Sequence, residues 1–308
     1  MRVLVTGATG LIGNHLLPRL RERGDAVVVL TRRPAAARER LGTDCTIVEG
    51  DPTREGTWMD ALADCDGVIN LAGESVFGKR WNEEVKNLLR ESRVQATANV
   101  VKALARNPRT AEGQPRVLVN ASAIGYYGPR GDEELIESSP PGNDFLAGVT
   151  TAWENAARPA EQHGLRTALV RIGIVLDPRG GALAQMVPPF KFGLGGPVAS
   201  GKQWMSWIHY HDVVGILLLA LDNAAAVGPI NGTAPQPVTN RDFARALGRT
   251  LHRPSFLPVP AFALKLRFGE VAEVLTTGQR VLPARAQSLG YRFQFPDLDG
   301  ALRDLLAS

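Results

Sequence analysis

Cysteine is scarce: the chain of 308 residues carries two, Cys45 and Cys65. Neither sits in a metal or redox spacing, and two cysteines cannot build a disulfide framework, so a reducing compartment is expected. Long apolar runs are absent as well. The longest candidate, Gly215 to Leu221, falls far short of the ~20 residues that span a bilayer, so no membrane partner is expected. Met1-Arg2 leads through Val3-Leu4-Val5 almost directly to glycine. That run is too short for a signal peptide and makes a cytoplasmic location the expectation. Charge of a single sign is also missing: 35 basic against 31 acidic residues leaves a net +4. The basic residues are scattered among acids with no polybasic tail, so nucleic acid is not an expected partner. There is no internal repeat and no low-complexity segment. What remains is ordinary globular composition, 44% hydrophobic and 21% charged, in a length that suits one large or two modest domains of about 150 residues.

The first forty residues carry the clearest pattern. Arg2 to Thr6 is a short β-branched run that reads as a buried parallel strand. Gly7-Ala8-Thr9-Gly10-Leu11-Ile12-Gly13 follows, then a helical pattern closed by Gly24, then a second strand from Ala26 to Leu30. Strand, glycine turn, helix and strand make a βαβ unit. The three glycines play different parts. Gly7 permits the turn, Gly10 lets the backbone approach a pyrophosphate, and Gly13 lets the helix lie close on the strand. The N–H groups opening that helix then face the phosphates, backed by the positive end of its dipole. The spacing is GxxGxxG rather than GxGxxG; its position between a strand and a helix is what gives it weight.

The end of the second strand selects the cofactor. An NAD site places Asp or Glu there for the ribose 2′-hydroxyl; this chain has Thr31-Arg32-Arg33. A guanidinium can clasp a 2′-phosphate, so NADP(H) is expected over NAD(H), with Arg32 the contact and Arg33 a bystander. Asp51, after a third strand at 45–49, either receives the adenine amino group or is a plain turn residue. A fourth strand at 67–71 leads into Ala72-Gly73-Glu74, where small residues let the backbone pass along the cofactor.

Further elements follow in order: a long amphipathic helix over 83–104, a fifth strand over 116–120, a helix over 151–163 and a sixth strand over 166–176. Asp212 is expected to cap a helix over 213–221, which is a better account of His209-x-His211-Asp212 than a metal site. A last strand at 229–233 returns to the sheet, and Thr239 or Asn240 opens another helix. The expected fold is α/β: a Rossmann-like doubly wound parallel sheet over 1–176 with a return segment at about 206–236. A small C-terminal α+β lobe takes 177–205 and 237–308. Lys191, Lys202, Gln203 and Trp204 either line a pocket for an anionic or sugar-like ligand or belong to a surface loop tied down by Trp204.

At this point the chain resembles a family. TGATGLIG, NLAG at 70–73, the Ser122 strand end with YYG, and SWIHYHDVV at 206–214 together resemble extended short-chain dehydrogenase/reductases. LAGE, RW at 80–81, ESR at 91–93, TAWE at 151–154, the segment 189–209 and GYRFQFPDL resemble its atypical "epimerase family" subgroup. The resemblance covers essentially the whole chain. It implies NADP held at the glycine loop (Gly7, Thr9, Gly10, Leu11, Ile12, Gly13), at Thr31 and Arg32, and at Leu71 and Ala72. Arg93 and the backbone around Ile172 to Ile174 are further implied contacts, and a homodimer through the long helices is implied as well.

Reductases of this superfamily use Ser with a Tyr and Lys spaced YxxxK. The Tyr moves the proton, and the Lys, one turn along the same helix face, lowers its pKa. Ser122 stands at the Ser position, but the YxxxK register falls at Phe145 and Val149, or one residue earlier at Asp144 and Gly148, and neither pair can do this work. The substitutes open to the chain are Tyr126, Tyr127, Glu74 and Asp144. Two functions follow: an NADP(H)-dependent epimerase or carbonyl reductase acting on a small molecule, with Ser122 orienting oxygen and Tyr127 or Glu74 supplying the proton, or a non-catalytic NADP(H)-binding protein read by a partner.

Overall fold

A computed structural model describes residues 1–307. The first half alternates strand and helix: β1 (Arg2–Thr6), α1 (Leu11–Glu22), β2 (Ala26–Thr31), α2 (Pro34–Leu41), β3 (Thr46–Glu49), β4 (Gly67–Asn70), α3 (Glu83–Ala105), β5 (Val117–Ala123), α4 (Phe145–Ala157) and β6 (Arg166–Ile172). A last strand, β7 (Gly228–Gly232), returns to pair in parallel with β6. The seven strands run in the order β7-β6-β5-β4-β1-β2-β3, all neighbours parallel. This is a Rossmann-like α/β sheet. Strand order reverses between β1 and β4, and ligands of such sheets bind in the crevice beyond the strand ends at that point.

Both faces of the sheet are buried, which is why its strands are continuously apolar rather than alternating. Val3 and Val5 point to one face, where Leu16, Leu17 and Leu20 of α1 meet Val213, Ile216 and Leu217 of the helix Tyr210–Asp222. Leu4, Val28, Val68 and Leu118 point to the other, against Trp58, Met59, Val100 and Leu104. A third core, with Trp207, Phe243, Leu247 and Leu302, holds the C-terminal part together. No helix among the described residues is long and apolar enough to cross a membrane.

Three sequence expectations are corrected. The helix expected from 151 begins at Phe145, because the Asp144 carboxylate accepts the Ala147 N–H at 2.7 Å and caps it; it ends at Ala157, and a separate turn covers Pro159–Gln162. The sixth strand is not continuous to 176. It breaks at Gly173, where a Cβ would lie 2.4 Å from the Ser206 carbonyl oxygen, and Ile174–Asp177 pairs instead with Trp207–His209. Asp212 is not the cap of its helix. His209 takes that role, its Nδ1 accepting the His211 N–H at 3.1 Å. Asp212 is turned to the C-terminal segment, accepting from the Tyr291 hydroxyl and from the amides of Gln294 and Phe295.

His209 is fully buried, stacked on Phe295 at 3.8 Å, with Asp304 3.2 Å from Nε2. Burial pushes its pKa down to about 4. In the unfolded chain the same imidazole titrates near ~6.5, so between these values the unfolded state binds the extra proton and stability falls as pH falls. Melting temperature should drop from pH 7 to pH 4, with about 3 kcal/mol attributable to this group. His209→Asn, which keeps a capping side chain, should flatten that part of the profile. An unchanged pH slope in the variant would refute the assignment.

Candidate functional site

The crevice is floored by the β1–α1 turn. Gly7 has φ +66°, and a Cβ there would lie 2.7 Å from the Leu71 carbonyl oxygen. The main chains after β1 and β4 therefore touch with no side chain between them. Gly10 donates to the Gly7 carbonyl at 2.9 Å and is the N-cap of α1. It offers no capping side chain, so the first-turn amides of α1 are left for another acceptor. At Gly13 a Cβ would lie 2.4 Å from the Ala8 carbonyl oxygen, so only glycine lets α1 start this close to β1. Leu11 is clasped from above by the backbone of Gly180 and Gly181.

Beneath the crevice lies a buried polar network that the sequence pattern does not announce. The Thr6 hydroxyl donates to Asn70 Oδ1 at 2.6 Å and accepts the amides of Leu71 and Ala72. Asn70 Nδ2 donates to Thr97 at 3.0 Å and to Asn120 at 2.6 Å, and the Trp153 indole donates to Thr97 at 2.9 Å. One chain of bonds thus ties β1, β4, β5, α3 and α4 together at the level where 70–73 turns. The one signal for it is Asn at the ends of two apolar strands, GVIN and RVLVN, where a polar side chain needs buried partners. Above it, Arg93 fits the space left by Gly73, where a Cβ would be 3.1 Å from its guanidinium carbon. Arg93 donates to the Glu74 and Leu89 carbonyls and lies 5.2 Å over Trp153.

At the end of β2, Arg32 is exposed and its Nη2 meets Glu74 Oε1 at 3.2 Å. Glu74 therefore sits at the β2 end of the crevice. No acid follows β2 in sequence, yet the turn after β4 delivers one to the same place. Thr31 Oγ1 accepts the Arg33 amide at 3.1 Å. Asp51 accepts both the amide and the hydroxyl of Thr53, at 2.9 and 2.7 Å, which is turn geometry. Burial would raise its pKa, but the Thr53 bonds together with the charges of Arg32 and Arg54 outweigh this and lower it.

The β5 end is occupied by a buried ion pair. Ser122 is 2% exposed and its hydroxyl donates to Glu154 Oε1 at 2.6 Å. Glu154 in turn accepts two bonds from Arg171, at 2.8 and 2.9 Å. Burial alone would lower the Arg171 pKa; Glu154 reverses that and raises it. Arg171 also donates to the Tyr127 oxygen at 3.0 Å, and Tyr127 donates to Asn231 at 2.7 Å. Tyr127 has no exposed surface, and burial pushes its pKa up to about 12. Ser122 and Tyr127 are thus committed to the interior rather than brought to the crevice with Glu74. Tyr126 is half-buried, its ring 3.5 Å from the Arg171 guanidinium. Phe145 opens α4 with Trp81 edge-on at 5.0 Å and the Lys86 ammonium 5.6 Å from its ring, while Val149 is buried. The Ile174 amide donates to Ser206. Gln203 donates to the carbonyls of Val198 and Leu275, and the Trp204 indole to Asp132, so both tie down their segment; Lys191 and Lys202 are exposed.

Removing one member of a buried pair strands the other charge. Glu154→Gln should cost about 3–5 kcal/mol in urea unfolding. Ser122→Ala, which removes a single hydrogen bond, should cost only about 1 kcal/mol. Near-equal losses would show that Arg171 finds another partner.

Comparison with known proteins gives the family. The sequence model of the NAD dependent epimerase/dehydratase family matches residues 3–231, and that of a domain of unknown function (DUF1731) matches 259–305. The chain is 44% identical over 310 residues to the chloroplastic SDR39U1 homolog of Arabidopsis thaliana, covering 99% of this chain and 87% of that protein. It is 38% identical over 309 residues to YfhF of Bacillus subtilis, covering 100% of this chain and 98% of the relative. The crystal structure of human epimerase family protein SDR39U1 (isoform 2) with NADPH superposes with TM-score 0.87 at 36% identity, covering 100% of this chain and 99% of the human one. With a family match over most of its length and relatives aligned nearly end to end, the chain belongs to the NAD-dependent epimerase/dehydratase family.

Proposed function

We propose that this chain binds NADP(H) in the crevice between β1 and β4. The observation that carries the reading is the side-chain-free cradle of Gly7, Gly10 and Gly13 beneath the uncapped start of α1, with Arg32 exposed at the end of β2. The amides of Thr9, Leu11 and Ile12 suit a pyrophosphate, and Gly10, whose own amide is bound to the Gly7 carbonyl, lets it approach the backbone. Thr31 and Arg32 suit a 2′-phosphate, for which Glu74 would compete at the guanidinium. The backbone of Leu71, Ala72 and Gly73, the Arg93 side chain and the Ile174 backbone complete the set. The human relative crystallised with NADPH supports the same choice of cofactor. When bound, that cofactor supplies a hydride donor or acceptor.

What the chain adds to that hydride is limited. Phe145 and Val149 carry no proton, and the hydroxyls of Ser122 and Tyr127 already donate to protein acceptors. This favours a protein that holds NADP(H) without the proton relay of ordinary reductases and epimerases. A second reading, reduction of a small carbonyl or sugar-like compound, rests on Tyr126, the one tyrosine of the β5 end that is not fully buried. In that case its hydroxyl would protonate the substrate oxygen.

Arg32→Ala should weaken NADPH binding by about ten- to hundredfold, the loss of a charge-assisted pair, and change NADH binding less than about threefold. Isothermal titration of both nucleotides checks this, and equal losses for the two would remove the 2′-phosphate assignment. NADPH should be retained without oxidation across a panel of carbonyl compounds and sugar nucleotides. Turnover abolished by Tyr126→Phe would establish the second reading instead.

A further inference from the structure

The C-terminal part carries an exposed apolar region unlike the rest of the surface. Phe192 is 81% exposed, Leu194 62%, Phe256 73%, Phe262 75% and Leu266 78%. Single exposed apolar residues are ordinary; a cluster is not. These five belong to adjoining segments. Residues 191–198 and 253–259 run side by side: Arg253 Nε donates to the Lys191 carbonyl, Leu257 N to Gly195, and Val198 bridges in parallel to Val259. The second segment turns at Pro260 directly into the helix Ala261–Phe268, where Phe262 and Leu266 lie one turn apart on one face. Side chains exposed to this degree project from the surface; they do not line a groove that would receive a peptide.

The segments that bear them carry charge of one sign; the acids next along the chain are Glu270, which pairs with Lys86 at 2.7 Å, and Glu273. No Asp or Glu occurs between 178 and 211 or between 243 and 269. Lys191, Arg253, Lys265 and Arg267 are exposed there, and none of them forms an ion pair among the described residues, whereas Arg245 and Arg249 beyond them are paired with Asp242 and Asp299. Two copies of such a face would bring like charges together, which disfavours self-association through it. Projecting Phe and Leu among unpaired Lys and Arg match the boundary of an anionic bilayer. There the apolar groups enter the acyl edge and the cations meet lipid phosphate and carboxylate.

We propose that the face formed by Phe192, Leu194, Phe256, Phe262 and Leu266 with Lys191, Arg253, Lys265 and Arg267 attaches this protein peripherally to anionic membrane surfaces. The chain lies on the bilayer and does not span it, so this attachment needs no helix long enough to cross a membrane, and none occurs among the described residues. The β1–α1 turn contributes nothing to this face, and the attachment is independent of the nucleotide reading.

Vesicle flotation tests it, using phosphatidylcholine vesicles with and without phosphatidylserine, at low and at physiological salt. The full chain should float with the phosphatidylserine vesicles, more weakly as salt rises, and little with phosphatidylcholine alone. Lys265→Gln with Arg267→Gln should reduce partitioning about fivefold for each charge removed. Phe192→Ser, Phe256→Ser and Phe262→Ser together should reduce it on the order of a hundredfold or more. All positions are exposed, and unchanged thermal melting verifies the fold of each variant. The proposal fails if the wild type stays unbound with phosphatidylserine vesicles at low salt, or if the variants partition equally. It also fails if sedimentation shows a dimer that the serine variants disperse while vesicles are ignored.

Discussion

The contact on which the rest of this structure depends is main chain against main chain: the turn after β1 lies on the turn after β4 with no Cβ between Gly7 and Leu71. That approach holds the two central strands at the level where strand order reverses, and it opens the crevice there. It also leaves the start of α1 uncapped and aimed into it. Local backbone freedom, a property of one residue, is thereby converted into an anion-binding geometry. The Thr6–Asn70–Thr97–Asn120 chain of hydrogen bonds makes the approach permanent, because every member is buried and satisfied by the others.

A second buried polar assembly lies at the end of β5. Glu154 and Arg171 are both within 3% of full burial, and such a pair tolerates desolvation only through dense hydrogen bonding. Ser122 and Tyr127 supply part of that bonding. Their hydroxyls donate to Glu154 and Asn231 and so contribute to the stability of the β5–β6 junction. The fold thus places the glycine-floored crevice beside a strand end occupied by a buried ion pair. The C-terminal segment joins the two parts: Asp212, released from capping, grips the backbone at 294–295, while His209 caps the helix and stacks on Phe295.

Much of the fold is legible in the residues. Val3-Leu4-Val5, Val27-Val28-Val29 and Val117-Leu118-Val119 are buried on both faces, so continuous apolarity announces a parallel sheet. The glycine turn and the helix Glu83–Ala105 are likewise local, the first set by steric allowance and the second by amphipathic period with Asn82 as cap. Phe145 and Val149, at the register the spacing assigns to a Tyr-x-x-x-Lys pair, are also read directly from the sequence. Helix ends governed by a single cap are harder to read. α4 starts after Asp144 because one carboxylate finds one amide, whereas the apolar period alone places the helix later and carries it past its true end at Ala157.

Steric and periodic rules acting on neighbouring residues fix the β-turn-α cradle, the parallel strands and the guanidinium placed directly after β2. Where side chains distant in the chain would meet depends on how the elements pack. That packing turned Ser122 to Glu154, Glu74 to Arg32, Tyr127 to Asn231 and Asp212 to the C-terminal segment. The physical reason is that a buried polar group takes whichever partner the packing brings within hydrogen-bond reach, and that choice depends on how elements cross, which no local pattern encodes.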